Sequence, residues 1–261
     1  MKNIKVLAVS NLFGFILTIV LNALANALPI NGVTTGELSD LYPNLFVPAG
    51  FTFAIWGVIY TLLFVFIIYQ FRQAFSKRGN TDFINNMGWL FLWSSLANAS
   101  WIVVWHYQII WLSLVLMLII LASLVGIYQQ LNIGVKPKKS AEKVFVHIPF
   151  SVYLGWITVA TIANVTTLLV DMNWSGFGIS EMTWTLIMLT IATLIGMIML
   201  FKRKDWAYAL VLIWAFYGIY AKRSAIDAEL YSSIITITVI GMGILTALIV
   251  WTLTKSSKEE Y

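Results

Sequence analysis

An all-α, polytopic transmembrane helical bundle of about eight spans is the fold class this sequence predicts. Three observations lead there. Hydrophobic residues fill 60% of the 261 positions and charged residues only 10%, against about 25% charged in an ordinary soluble domain. The apolar residues come in blocks near the ~20 residues a helix needs to cross a bilayer, with no strand-type alternation. The cations gather in every second connection, as Lys and Arg do on the cytoplasmic side of a membrane.

The spans follow in order. The first is read from Ile4 to Leu28, stopped by Pro29. Lys2, Lys5 and the small residues Ala23, Ala25 and Ala27 give it something of a signal peptide. Its apolar run has full spanning length, so it is read as a retained helix. A polar loop, Asn31 to Val47, carries Gly32, Gly36, Pro43 and Asn44 as turn formers. The second span runs from Ala49 to Phe71, led in by Pro48 at a favoured first-turn position. The third, Met87 to Trp105, meets the fourth, Ile109 to Gln129, through a connection at His106 and Tyr107. So short a link forces an antiparallel hairpin. The fifth is Val144 to Val170, with Pro149 near its start. After a loop from Asp171 to Ser180 come the sixth, Met182 to Phe201, the seventh and shortest, Trp206 to Tyr220, and the eighth, Ser233 to Thr254.

Charge tests this order independently. With the N-terminus inside, all 16 Lys and Arg except Lys222 and Arg223 fall on one side. The sequence therefore predicts a multi-pass cell-membrane protein with both termini cytoplasmic. Lys222, Arg223, Asp227 and Glu229 read as a mixed, solvated outer loop.

The same composition narrows function. The net charge of +5 sits in membrane-flanking loops, so no nucleic-acid partner is expected. There is no cysteine, and His106 and His147 are the only histidines. That predicts no metal site, no cofactor and no catalytic constellation, hence no enzyme. A lipid- or pigment-modifying membrane enzyme is the less supported alternative. No ionisable residue is read near the middle of a span, which disfavours a transporter of another class driven by ion coupling.

Neutral polar and aromatic groups remain at depth. Ser94, Asn98, Trp101 and Trp105 share one helix face in the third span. Trp156, Ala160 and Asn164 do so in the fifth, and Phe53, Trp56 and Tyr60 in the second. Trp at a span end is normally an interfacial anchor, but Trp56 and Trp156 lie well inside. Helix packing alone would account for such stripes. A pocket for a flat, apolar small molecule would also use them.

Three stretches carry a family resemblance. Tyr153-Leu154-Gly155-Trp156 is followed by Ala160-Thr161 and Asn164; Asn98-Ala99-Ser100-Trp101 lies in the third span; Pro48-Ala49-Gly50-Phe51-Thr52-Phe53-Ala54-Ile55-Trp56 leads on to Tyr60. In these the chain resembles the tryptophan-rich sensory protein, or translocator protein (TspO/MBR), family. The resemblance covers residues 1–175 and implies a five-helix membrane core. It leaves residues 176–261 as a three-helix C-terminal extension with no reading of its own. It departs in the first loop, which lacks the family's Trp residues, and at Ala49 and Phe51, where the family has Pro and Trp. The resemblance implies a receptor or carrier that binds a porphyrin-like ligand within the bilayer, and a possible homodimer. Carried over, its ligand-binding residues are Trp56, Tyr60, Asn98, Trp101, Trp156, Ala160 and Asn164.

Overall fold

The computed structural model describes residues 3–28, 30–135 and 140–259. Pro29 and the cations Lys2, Lys136, Lys138 and Lys139 lie outside them. The described residues form helices and turns with no strand.

Helix α1 is Ile4–Ala27, opened by the Asn3 side chain, which accepts from the backbone N–H groups of Lys5 and Val6. The first loop holds a short helix, α2, Thr35–Asp40, closed by a reciprocal Thr34–Glu37 capping box. The polar loop expected from Asn31 to Val47 thus contains a helix, made possible by that cap. A 3-10 turn, Gly50–Ala54, feeds α3, Ile55–Phe75. Next come α4, Asp82–Met87, and α5, Leu90–His106. Gly88 between them has φ 56 and ψ −127, a combination only glycine adopts freely. α6 is Ile110–Gln130. The fifth span starts at a short turn α7, Ser140–Glu142, and a π-turn, Lys143–His147, before α8, Ile148–Asp171. Pro149 falls in the first turn of α8, where its missing N–H costs nothing. The last three helices are α9, Glu181–Arg203, α10, Trp206–Asp227, and α11, Ser232–Glu259.

Seven of these segments are long and apolar enough to cross a membrane. The eighth long helix, α5, has 17 residues, roughly 26 Å and the low end of the spanning range. Its tight turn into α6 and its packing between α1 and α6 place it in the bundle with the rest.

The packing order is a ring. α1 packs on α3, α3 on α8, α8 on α6, α6 on α5, and α5 back on α1. The last three helices form a second cluster in which α10 touches α9 and α11. α10 also packs on the ring, lying along α8 and the Gly50–Ala54 turn. Gly155 permits that approach, since a Cβ there would stand 3.1 Å from the Tyr208 carbonyl and 3.1 Å from Val211 Cβ. One hydrophobic core runs through both clusters.

Two expectations need correction. The seventh span is not the shortest: α10 has 22 residues and continues past Tyr220 to Asp227. And Arg223 is not solvated. It is 5% exposed, beneath the carbonyls of Asn44 and Val47 at 3.4 Å each. The apolar run ends at Tyr220, but the helix goes on because loop groups meet the charges: Lys222 pairs with Asp40.

At the other end of α10, Asp205 is buried and caps the helix by accepting from Tyr208 N–H at 3.1 Å. It also accepts from Tyr128 Oη of α6 at 2.7 Å and Ser151 Oγ of α8 at 2.6 Å. Three helices therefore meet on one carboxylate.

Candidate ligand-binding site

The ring encloses a small cavity of about 40 Å³. Trp56 comes from α3, Trp101 and Trp105 from α5, and Trp156, Ala160 and Asn164 from α8. Thr35 and Ser39 of α2 roof it, and Pro48 and Phe53 close its side. These residues converge because each helix turns the same face inward over two or three turns.

Trp56 is the hub of the aromatic lining. Its ring centroid lies 6.3 Å from Trp156, edge to face, and 6.5 Å from Trp101. It stacks on Tyr60 at 5.4 Å. Trp101 stacks in turn on Trp105 at 5.7 Å, and Phe53 meets Trp156 edge-on at 6.0 Å. Offset and edge-to-face pairs of this kind add about 0.5–1.5 kcal/mol each beyond burial, and they fix the walls.

The amides hold the walls too. Trp101 Nε1 donates to Asn164 Oδ1 at 3.0 Å, and Asn164 Nδ2 donates to Ser113 Oγ at 2.9 Å. Asn98 sits behind the wall, fully buried, and lines neither this cavity nor the cleft beside it. It accepts from Asn22 Nδ2 at 2.9 Å and donates to Tyr153 Oη at 3.1 Å. Both amides are thus engaged with protein partners. Left over are the indole N–H groups of Trp105 and Trp156 and the hydroxyls of Thr35 and, across Trp56, Tyr60, all buried with no hydrogen-bond partner. Two unsatisfied N–H groups on an apolar wall suit an acceptor brought by a ligand or a water.

A wider cleft of about 510 Å³ adjoins the cavity and shares Thr35, Phe53 and Trp56 with it. Tyr60 lines the cleft, with Asn22, Asn26 and Glu37. Of the seven residues expected at the site, the cavity gathers Trp56, Trp101, Trp156, Ala160 and Asn164, and Tyr60 joins across Trp56. Phe53 and Trp105 belong with them. Both lay on the aromatic stripes visible in the sequence. Thr35 and Ser39 carried no such signal.

The last three helices reach this site through one seam. Trp214 Nε1 of α10 donates to the Thr52 carbonyl at 2.9 Å, and Ala49 N–H donates to the Gly218 carbonyl at 3.0 Å. The turn that carries Phe53 toward the cavity is therefore clamped from α10.

This is a multi-pass α-helical membrane protein whose first five spans surround an aromatic cavity. Residues 8–251 match the family model described as TSPO-like protein. The chain belongs to that family. The match runs through α9 and α10 and most of α11, well past the stretches that carry the resemblance in the sequence. No curated protein and no solved structure matches the chain.

Proposed function

We propose that this TSPO-like membrane protein is a receptor or carrier for a flat, largely apolar ligand of tetrapyrrole type, bound among Trp56, Trp101, Trp105 and Trp156. The observation that carries this reading is the convergence of four indoles from three helices on one cavity. Indole faces stack on an extended ring system. The free N–H groups of Trp105 and Trp156 would meet its polar edge. The enclosed 40 Å³ is far below the ~300–1,000 Å³ of a ligand pocket. Binding then requires Phe53 and Thr35 to give way, so that the cavity and the 510 Å³ cleft become one space. On this reading the first loop is the lid, the protein does no chemistry on its ligand, and both termini face the cytoplasm.

Titration of the purified protein with protoporphyrin, read by quenching of Trp emission, tests the proposal. Saturable quenching is expected, weakened at least tenfold by Trp156→Phe or Asn164→Ala. Quenching that never saturates and ignores both substitutions would sink it.

A further inference from the structure

A second pair of cavities lies away from the aromatic site, where α8, α9 and α10 meet the first loop. One is an apolar slot of about 530 Å³ between α8 and α9, lined by Ile162, Val165, Leu169, Trp174, Trp184 and Met188. The other is a polar vestibule of about 350 Å³ that holds Lys222, Arg223 and Tyr231. They share the wall made by Asn44, Leu45 and Glu181.

Arg223 is the group that calls for a ligand. It is 5% exposed, and its Nε has no hydrogen-bond partner. Its Nη2 reaches two carbonyls only at 3.4 Å, beyond the usual N–H···O range. The Tyr231 ring lies 5.3 Å from its Cζ. Among the described residues no carboxylate is within ion-pair distance of it. The two acids on the vestibule wall are engaged elsewhere: Asp40 pairs with Lys222, and Glu181 Oε1 accepts from Leu45 N–H at 2.6 Å. A buried cation with no carboxylate in direct contact is costly.

We propose that slot and vestibule form one site for a long-chain carboxylate, with its head on Arg223 and its single chain in the slot. A guanidinium edge matches a carboxylate in a two-bond fork. Glu181 at the junction already carries one negative charge, so a singly charged head on Arg223 meets less repulsion there than a doubly charged phosphate would. Trp174 and Trp184 sit where the slot ends, as aromatic residues do at the level of lipid headgroups. That depth would place the head at the membrane–water interface. The slot's lining is mostly apolar, and the Trp184 N–H and the hydroxyls of Thr161, Thr166 and Thr185 on it are already bonded to backbone carbonyls.

The test uses the whole protein in nanodiscs of uncharged phosphatidylcholine, with cis-parinaric acid as probe and energy transfer from Trp as readout. A saturable component displaced by oleate is expected. It should be absent for the methyl ester and at least tenfold weaker in Val165→Trp, which fills the slot, and in Arg223→Met. If Arg223→Met does not fold, the ester and Val165→Trp decide alone. Equal binding of acid and ester would overturn the assignment to Arg223. Full binding by a folded Val165→Trp would overturn the assignment to the slot. Displacement by a lysophosphatidate more effective than by oleate would overturn the carboxylate.

Discussion

The five-helix ring and the three-helix cluster beside it are both apolar bundles, yet they are held by different means. In the ring, side chains bond across helices: Asn11 to Gln70 at 2.7 Å, Asn22 to Asn98, Asn98 to Tyr153, Trp101 to Asn164, Asn164 to Ser113. In the cluster, the hydroxyls of Thr185, Thr193, Thr238 and Thr252 turn back on carbonyls of their own helices. The cluster holds by shape instead. Gly196 admits Leu212 and Leu245, and Gly241 admits Phe216 and Thr193, the small-residue packing typical of membrane helices. Directional bonds keep walls apart around a space. Close packing leaves no space to keep. The contrast assigns upkeep of the aromatic cavity to the ring and its support to the cluster, whose α9 also walls the slot against α8.

The seam between them should be the most sensitive point. A Cβ at Gly218 would fall 2.0 Å from Thr52 Oγ1 and 2.9 Å from Pro48 Cβ. The backbone behind both is held, because the Thr52 carbonyl and the Ala49 N–H are bonded to α10, and Thr52 Cβ itself would lie 3.0 Å away. Gly218→Val is expected to cost about 3 kcal/mol, at the upper end of overpacking, seen as a lower midpoint in thermal unfolding. It should also weaken porphyrin quenching, since the displaced turn carries Phe53. A variant that melts early but binds normally would separate the cluster from the cavity.

Within the ring, Asn164→Ala strands Trp101 Nε1 and leaves Ser113 with one partner fewer. We expect a loss of about 1–2 kcal/mol in the same measurement, the penalty of an unsatisfied buried donor reduced by the modest worth of polar contacts in bilayers. Within the cluster, Gly196→Ala meets only the ends of Leu212 and Leu245, at 2.8 and 2.7 Å. Leucine tips can turn, so its cost should stay below about 1 kcal/mol. If Gly196→Ala proved the more damaging of the two, the division of labour would be reversed.

The smallest effect belongs to the first loop. The backbone N–H of Thr34, and then its hydroxyl, hold the Glu37 carboxyl below its ordinary value of 4.5. A lowered folded value means that the contribution of Glu37 is complete above about pH 4.5 and is lost as pH falls through the lowered value. Hydrogen exchange of residues 34–40, corrected for intrinsic rates, should be unchanged from pH 7 to about pH 5 and faster at pH 3. The Glu37→Gln variant should show no such step.

Much of this was legible in the sequence. Apolar block length and cation segregation are properties of single segments, so they give the spans without any partner. The aromatic stripes were legible for the same reason. Trp101 and Trp156 each advertise a helix face, and the fold had only to turn those faces together. Partnership was not legible. Nothing local says that Asn98 pairs with Asn22 and Tyr153 while Asn164 reaches the cavity, since both are lone amides in apolar runs. Arg223 misled because the groups that cover it, the carbonyls of residues 44 and 47, lie far away in the chain. Gly218 carries no local signal at all. Its role depends wholly on Thr52 lying against it.

The bond from Trp214 to the Thr52 carbonyl has a thermodynamic consequence. Thr52 lies one residue before Phe53 and one helical turn before Trp56, so the cavity wall and α10 share a rigid connection. Linkage runs equally in both directions. Whatever work a guest in the cavity does on α10 by pushing Phe53 aside, a displacement of α10 does on the guest. On the proposed reading, an occupied cavity would be felt at the far helices without any message passing through solvent.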